Sequence, residues 1–213
     1  MRKSKSLFLI INLYLVLVFA SCGTKNNVKD LKPVNLERTI YKSPYFSNPE
    51  IDYVYKANIN VYGNELSGIF IAKKINDTTH RVVFTTEFGN KLLDFEISET
   101  DFKVNFIVDD LNKKILITTL KNDFRLILRS EYFIKEQFEN ETSKVLKSKE
   151  GKNFNYLFIN KSDEKLYKIV SANNRKEKIN ITFTTENNSL AEKIIIQHYN
   201  IKLRIELNYF NQK

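Results

Sequence analysis

Few residues in this chain could carry covalent or acid–base chemistry, and their spacing limits what they could do. Cys22 is the sole cysteine in 213 residues, so no disulfide, CxxC redox pair or thiolate metal cluster can form within one chain. That leaves modification of the thiol itself. His80 and His198 are the two histidines. They stand far apart, each inside a strand-like run, with no HExxH helix and no close His–acid cluster, so they read as ordinary strand histidines rather than a metal pair. No GxSxG elbow, P-loop or GxGxxG turn occurs, and no serine stands in a context that suggests activation by a base. Glu96 and Asp109-Asp110 read as a wet strand face and a helix start. No catalytic site, metal or cofactor is expected.

The segment that delivers Cys22 is the most informative in the chain. Arg2, Lys3 and Lys5 form a charged head, Leu7 to Phe19 run almost wholly apolar, and Ala20 and Ser21 are small. This is the pattern of a secretory signal peptide over residues 1–21. Its apolar run falls short of the ~20 residues that span a bilayer. The residues ending at Cys22 resemble the bacterial lipobox, in which an aliphatic and two small residues precede an obligatory cysteine; Phe19 stands where leucine is usual. The resemblance implies that Cys22 becomes the N-terminal residue and carries acyl chains on its sulfur and amine. At roughly 0.8 kcal/mol per buried methylene, several chains make a permanent membrane anchor. No acidic block of the kind that resembles a surface-export signal follows Cys22. An outer-membrane, lipid-anchored protein on the periplasmic face is therefore expected.

Loss of Arg2, Lys3 and Lys5, which have no acidic counterpart before Cys22, lowers the formal charge from +9 to +6. The excess is scattered, with no basic arm and no arginine-rich helix, so nucleic acid is not an expected partner. A weak attraction to anionic headgroups follows. The mature length suits one domain with a real core, and a single chain acting as a monomer is expected. Sixteen phenylalanines and eleven tyrosines beside five glycines favour strands.

The elements follow from hydrophobic period. Residues 22–50 read as a lipidated N-terminus and flexible tether punctuated by Pro33, Pro44 and Pro49, and residues 51–213 as the folded domain. From Ile51 the period is two, giving five strands that end in the alternation of Phe102, Val104, Phe106 and Val108. The period then changes. Leu116, Leu120, Phe124, Ile127 and Leu128 form a helical stripe that starts at Asp109-Asp110, and Ser130 to Asn140 suggest a second short helix. About six more strands follow to Tyr209. A sheet of about eleven antiparallel strands must curl, so the expected fold is mainly β, a curved half-barrel with one or two helices inserted after the fifth strand and packed in the concave face.

Lipobox, strand number and the place of the inserted helix resemble the lipoprotein-sorting fold of LolA and LolB, the membrane-anchored LolB type in particular. The local match is Thr86-Glu87-Phe88-Gly89-Asn90. There the LolB type has a protruding loop with an exposed leucine before glycine, which handles acyl chains and enters the membrane. The resemblance implies Phe88 as a lipid-contact tip, lipid or lipoprotein acyl chains as ligands, and a periplasmic carrier as a partner. A receptor for acyl chains needs concave apolar area, for which Phe102, Phe106, Ile181, Phe183, Leu203 and Ile205 are the candidate lining. The same residues serve equally as core packed on the helix. Two further readings stand beside this one. The first is a structural or interaction lipoprotein with a filled core, and the second is an envelope hydrolase, for which no clustered acid pair is visible.

Overall fold

The computed structural model describes residues 31–173 and 176–210, so the expected signal peptide and Cys22 lie outside the described residues. Two short strands, β1 (Lys32–Val34) and β2 (Ile40–Lys42), precede a meander of β3 (Asp52–Val61), β4 (Asn64–Lys74), β5 (His80–Thr85), β6 (Lys91–Ile97) and β7 (Phe102–Ile107). A 3-10 turn (Asp109–Leu111) leads into α1 (Lys114–Leu128). A second meander follows, with β8 (Glu131–Glu139), β9 (Ser143–Glu150), β10 (Asn153–Asn160), β11 (Leu166–Ala172), β12 (Glu177–Thr184), β13 (Lys193–His198) and β14 (Leu203–Tyr209).

All pairings are antiparallel, and β14 pairs with β3, so the two meanders join into one sheet that runs from β8 through β14 and β3 to β7. The sheet is open, with no pairing between its β7 and β8 ends. Residues from β3 to β6 and from β8 to β14 nonetheless share one core with Leu120, Phe124 and Ile127 of α1. One helix can touch strands so widely separated only if the sheet curls around it. The expected half-barrel with a helix in its concave face is the observed architecture.

Three elements differ from the sequence expectation. Ser130 to Asn140 form β8 rather than a helix, because Tyr132 and Ile134 point into the core while the backbone is paired on both sides, by β9 and by β1 and β2. Tertiary pairing overrides the helical reading of Tyr132, Phe133 and Phe138. Asp109 and Asp110 sit in the 3-10 turn, and the α-helix starts five residues later, at Lys114. Most of the expected tether beyond Leu31 is folded. β1 and β2 run along the outer edge of β8 from Lys32↔Glu139 to Lys42↔Glu131, and these two together with β8 are the three strands beyond the eleven expected. Pro33 is tolerated there because an edge strand can leave a backbone amide unused.

The same segment then enters the core. Tyr45 stacks on Phe183 with ring centroids 4.6 Å apart and donates a hydrogen bond to the Leu166 carbonyl at 2.5 Å. Phe46 packs on Tyr53 at 4.9 Å. Phe46 has φ +55, a costly conformation for a bulky residue. It is held by ring burial and by His80, whose Nε2 donates to the Phe46 carbonyl at 2.8 Å. Burial lowers the His80 pKa, which keeps the ring neutral with its proton on Nε2.

Outside the core, on the convex face, Asp94 is buried under Arg81 and Lys91, at 2.7 and 3.0 Å, with Asn105 beside it. The Arg81 hydrogen bond, reinforced by Lys91 and Asn105 and opposed by burial, holds the Asp94 carboxyl well below the usual carboxylate range. A depressed folded-state pKa contributes stability above the unfolded value, and that stability is lost as pH falls below about 4. Asp94→Asn is therefore expected to melt at a lower temperature than the parent at neutral pH and to lose part of the parent's acid sensitivity. Melting curves that stay parallel from neutral pH into acid would contradict this.

Candidate functional site

Three places bear on function. The first is the β5–β6 turn. Thr86 N donates to the Asn90 carbonyl at 2.9 Å, Gly89 N to the Thr86 carbonyl at 3.0 Å and Asn90 N to Thr86 Oγ1 at 3.1 Å. Gly89 takes φ +86, which glycine adopts freely and other residues do not. The closed turn leaves Phe88 94% exposed at its tip. Among the described large apolar residues none is so bare.

The second is the concave face. Ile181, Phe183, Leu203 and Ile205 are buried and belong to the core that includes α1. Phe102 is half-buried, edge-on to Phe95 at 5.1 Å, with Lys121 Nζ 5.6 Å from its ring. Phe106 is elsewhere. A register shift between Asp94 and Phe95 places Val104 opposite Phe95 but Phe106 opposite Asp94, so the bulge sends Phe106 to the convex face. There it is 42% exposed, with Lys91 Nζ 5.9 Å above its ring. Five of the six proposed lining residues therefore lie on or beside the core, and strict alternation misplaced the sixth.

The third is polar. α1 carries Asp123 within its apolar stripe, three residues after Leu120 and four before Ile127, and buries it completely. Asp123 Oδ2 lies 2.8 Å from His198 Nε2, where β13 ends after the inward-facing Ile194 and Ile196. Burial raises the Asp123 pKa and the imidazole opposes that rise. Asp123 Oδ1 and His198 Nδ1 are buried and have no hydrogen-bond partner. This acid–imidazole pair escaped sequence reasoning, which saw no close His–acid cluster. The signal was an aspartate on the buried stripe of an amphipathic helix, which is a rare place for an unpaired carboxylate. His80 and His198 have separate partners and do not form a pair.

The C-terminal half of α1 is tied down by arginines. Arg125 donates to the carbonyls of Ser98 and Asp101 at 2.7 and 3.0 Å, and Arg129 pairs with Glu99 and Glu150 at 3.3 and 2.6 Å. These contacts border a cleft of about 540 Å³ between the β6–β7 turn, the β4–β5 turn and the start of β8. Among the described residues, no helix is long and apolar enough to cross a membrane.

An open, curled antiparallel sheet with one crossover helix in its hollow is the LolA/LolB type of fold. The chain superimposes on a LolA superfamily protein from Nitrosomonas europaea with a TM-score of 0.53, at 10% identity, over 79% of this chain and 88% of that one. A putative outer membrane lipoprotein-sorting protein domain from Vibrio parahaemolyticus aligns with a TM-score of 0.44, at 9% identity, over 75% of this chain and 83% of that one. No protein-family model and no curated protein sequence matches the chain. At such low identity the likeness is one of fold.

Proposed function

We propose that this protein is an outer-membrane-anchored lipoprotein of the periplasmic face that binds lipid or lipoprotein acyl chains, with acylated Cys22 as anchor and Phe88 as lipid-contact tip. The observation that carries the reading is a phenylalanine 94% exposed on a closed turn of a LolA-type scaffold. Leaving such a side chain in water forgoes roughly 1.5–3 kcal/mol of burial, and the turn closes through Thr86, Gly89 and Asn90 without it. An acyl layer would recover that free energy. Inside the half-barrel an acyl chain gains the same apolar walls only in exchange for the α1 stripe, so entry requires α1 to move. No chemistry beyond binding is asked of the site.

One observation favours a second reading. Ile181, Leu203 and Ile205 are fully covered, as in a structural or interaction lipoprotein with a filled core and no ligand. Native mass spectrometry with lipid extraction on residues 24–213 separates the two. Bound phospholipid or lipopeptide, with vesicle binding weakened about tenfold or more by Phe88→Glu, a loss near 1.4 kcal/mol, is the expected result. A clean apo mass with no uptake of a fluorescent fatty acid would transfer the assignment to the filled-core reading.

A further inference from the structure

The Asp123–His198 pair does not stand alone. Strand register places Ser148 opposite Asn155, Asn155 opposite Ser171, Ser171 opposite Ile179 and Ile179 opposite His198. One row across β9 to β13 is thus almost wholly polar, and its four polar members are buried. The neighbouring row on the same face is apolar, with Leu146, Leu157, Ile169, Ile181 and Ile196 in the core. A polar row in the concave face of a sheet costs stability unless its groups are satisfied. No apolar core or acyl receptor needs one.

Asn155, Ser171, Ile179 and His198 of this row floor a cleft of about 360 Å³ roofed by α1 from Ile115 to Leu126 and lined also by Asp123, Asn153 and Lys178. The volume lies in the range of small-molecule sites. Its strong charges are mostly engaged. Lys178 Nζ donates to Asn153 Oδ1 at 3.0 Å, Asn155 Nδ2 donates to Glu150 Oε2 at 3.0 Å, and Arg125 is committed to two carbonyls. What remains is an acceptor at Asp123 Oδ1 and a ring nitrogen at His198 Nδ1, both buried and unpartnered. An anion would meet the Asp123 carboxylate. A cation would meet Lys178 and Arg125. A hydroxyl both donates and accepts, so it suits Asp123 Oδ1 and either tautomer of His198.

We propose that this cleft is a binding site for a polyhydroxylated ligand, a saccharide or polyol, whose hydroxyls bridge Asp123 Oδ1 and His198 Nδ1 and reach the side chains of Asn155 and Ser171. The assignment rests on the cleft alone and stands whether or not the half-barrel takes acyl chains. Such chemistry arrives either as a free sugar or as the headgroup of a glycolipid, and the site would read the hydroxyls in both.

The test is saturation-transfer NMR on residues 24–213 against a panel of glycerol, glucose, N-acetylglucosamine, maltose and trehalose, with an octyl glucoside arm to present the same sugar on an alkyl chain. Transfer to at least one free sugar is expected, weakened about tenfold or more, some 1.4 kcal/mol, in Asp123→Asn and in Ser171→Ala. Transfer confined to octyl glucoside, and weakened by the same two variants, assigns the headgroup source. Ser171→Ala leaves the acid–imidazole pair in place, so it reports on the cleft even if Asp123→Asn fails to fold. No transfer to any member of the panel, or transfer that both cleft variants leave intact, overturns the proposal and leaves Asp123–His198 as a structural pair. Neither result bears on the Phe88 vesicle measurement.

Discussion

Phe124→Ala is expected to lower the free energy of unfolding by about 3–5 kcal/mol. Phe124 is fully buried at the middle of the α1 stripe, with the Phe70 ring 5.2 Å away across the hollow. Removing the ring deletes the transfer free energy of a large apolar group and leaves a cavity whose walls are the strands of a continuous sheet. Those walls cannot collapse without breaking pairing, which places the cost towards the upper end. Against a typical total of about 5–15 kcal/mol the loss is large. Urea unfolding should show a lower midpoint at unchanged slope. The variant also bears on function, because a hollow left under α1 is apolar area available to an acyl chain. Uptake of a fatty-acid probe by Phe124→Ala, beyond that of the parent, is expected if the concave face is a receptor. A midpoint within error of the parent would mean that α1 is not packed as described.

Gly68→Ala should be nearly as damaging for a different reason. Gly68 lies in β4, where a Cβ would stand 1.9 Å from the Thr85 carbonyl oxygen and 2.9 Å from Phe84 Cε2. The first neighbour is backbone at the register shift between Phe84 and Thr85, so no side-chain rotation relieves the clash. Overpacking of this kind costs about 1–3 kcal/mol and more where the backbone must move. Gly63 provides the comparison. A Cβ there meets nothing within 4 Å, and only its φ of +89 opposes substitution, a cost of about 1–2 kcal/mol. Thermal melting should therefore rank Gly68→Ala below Gly63→Ala, and the reverse order would show that β4 and β5 can separate at the shift. Since β5 leads directly to the Phe88 turn, Gly68→Ala should also weaken vesicle binding in proportion to its unfolding.

The long strands were legible because each buries one face, and a half-buried strand writes its period into the sequence. Tyr53, Tyr55, Ala57 and Ile59 on β3 or Leu203, Ile205 and Leu207 on β14 leave little choice of register. β1 and β2 gave no such signal. Each spans three residues, too few to show a period, and their pairing is set by β8, a hundred residues away. β8 misled for the opposite reason. It is paired along much of both edges, and its aromatics fall on both faces, so Tyr132 is buried while Phe133 is exposed. Tyr45 and Phe46 were hidden among prolines because a loop that anchors itself through single side chains has no repeat to detect.

The candidate sites divide along the same line. Phe88 was legible, since one turn contains everything that presents it. Asp123 and His198 were not, since their pairing at 2.8 Å joins residues on different elements 75 positions apart, and no local pattern encodes which strand end a helix will cover. Phe106 marks the limit of alternation as a guide, because one inserted residue at the bulge reverses the face of all that follows it.

The clasp of β1 and β2 on β8 has a mechanical consequence. Were Cys22 the acylated anchor proposed above, the covalent chain from Cys22 to Leu31 would reach at most about 30 Å at full extension, against about 100 Å for a chain running free to Ile51. Under that proposal, a domain on so short a leash would patrol a thin layer beside its own bilayer. Whatever it received would then have to be brought to that layer by a diffusing courier or drawn from the same leaflet.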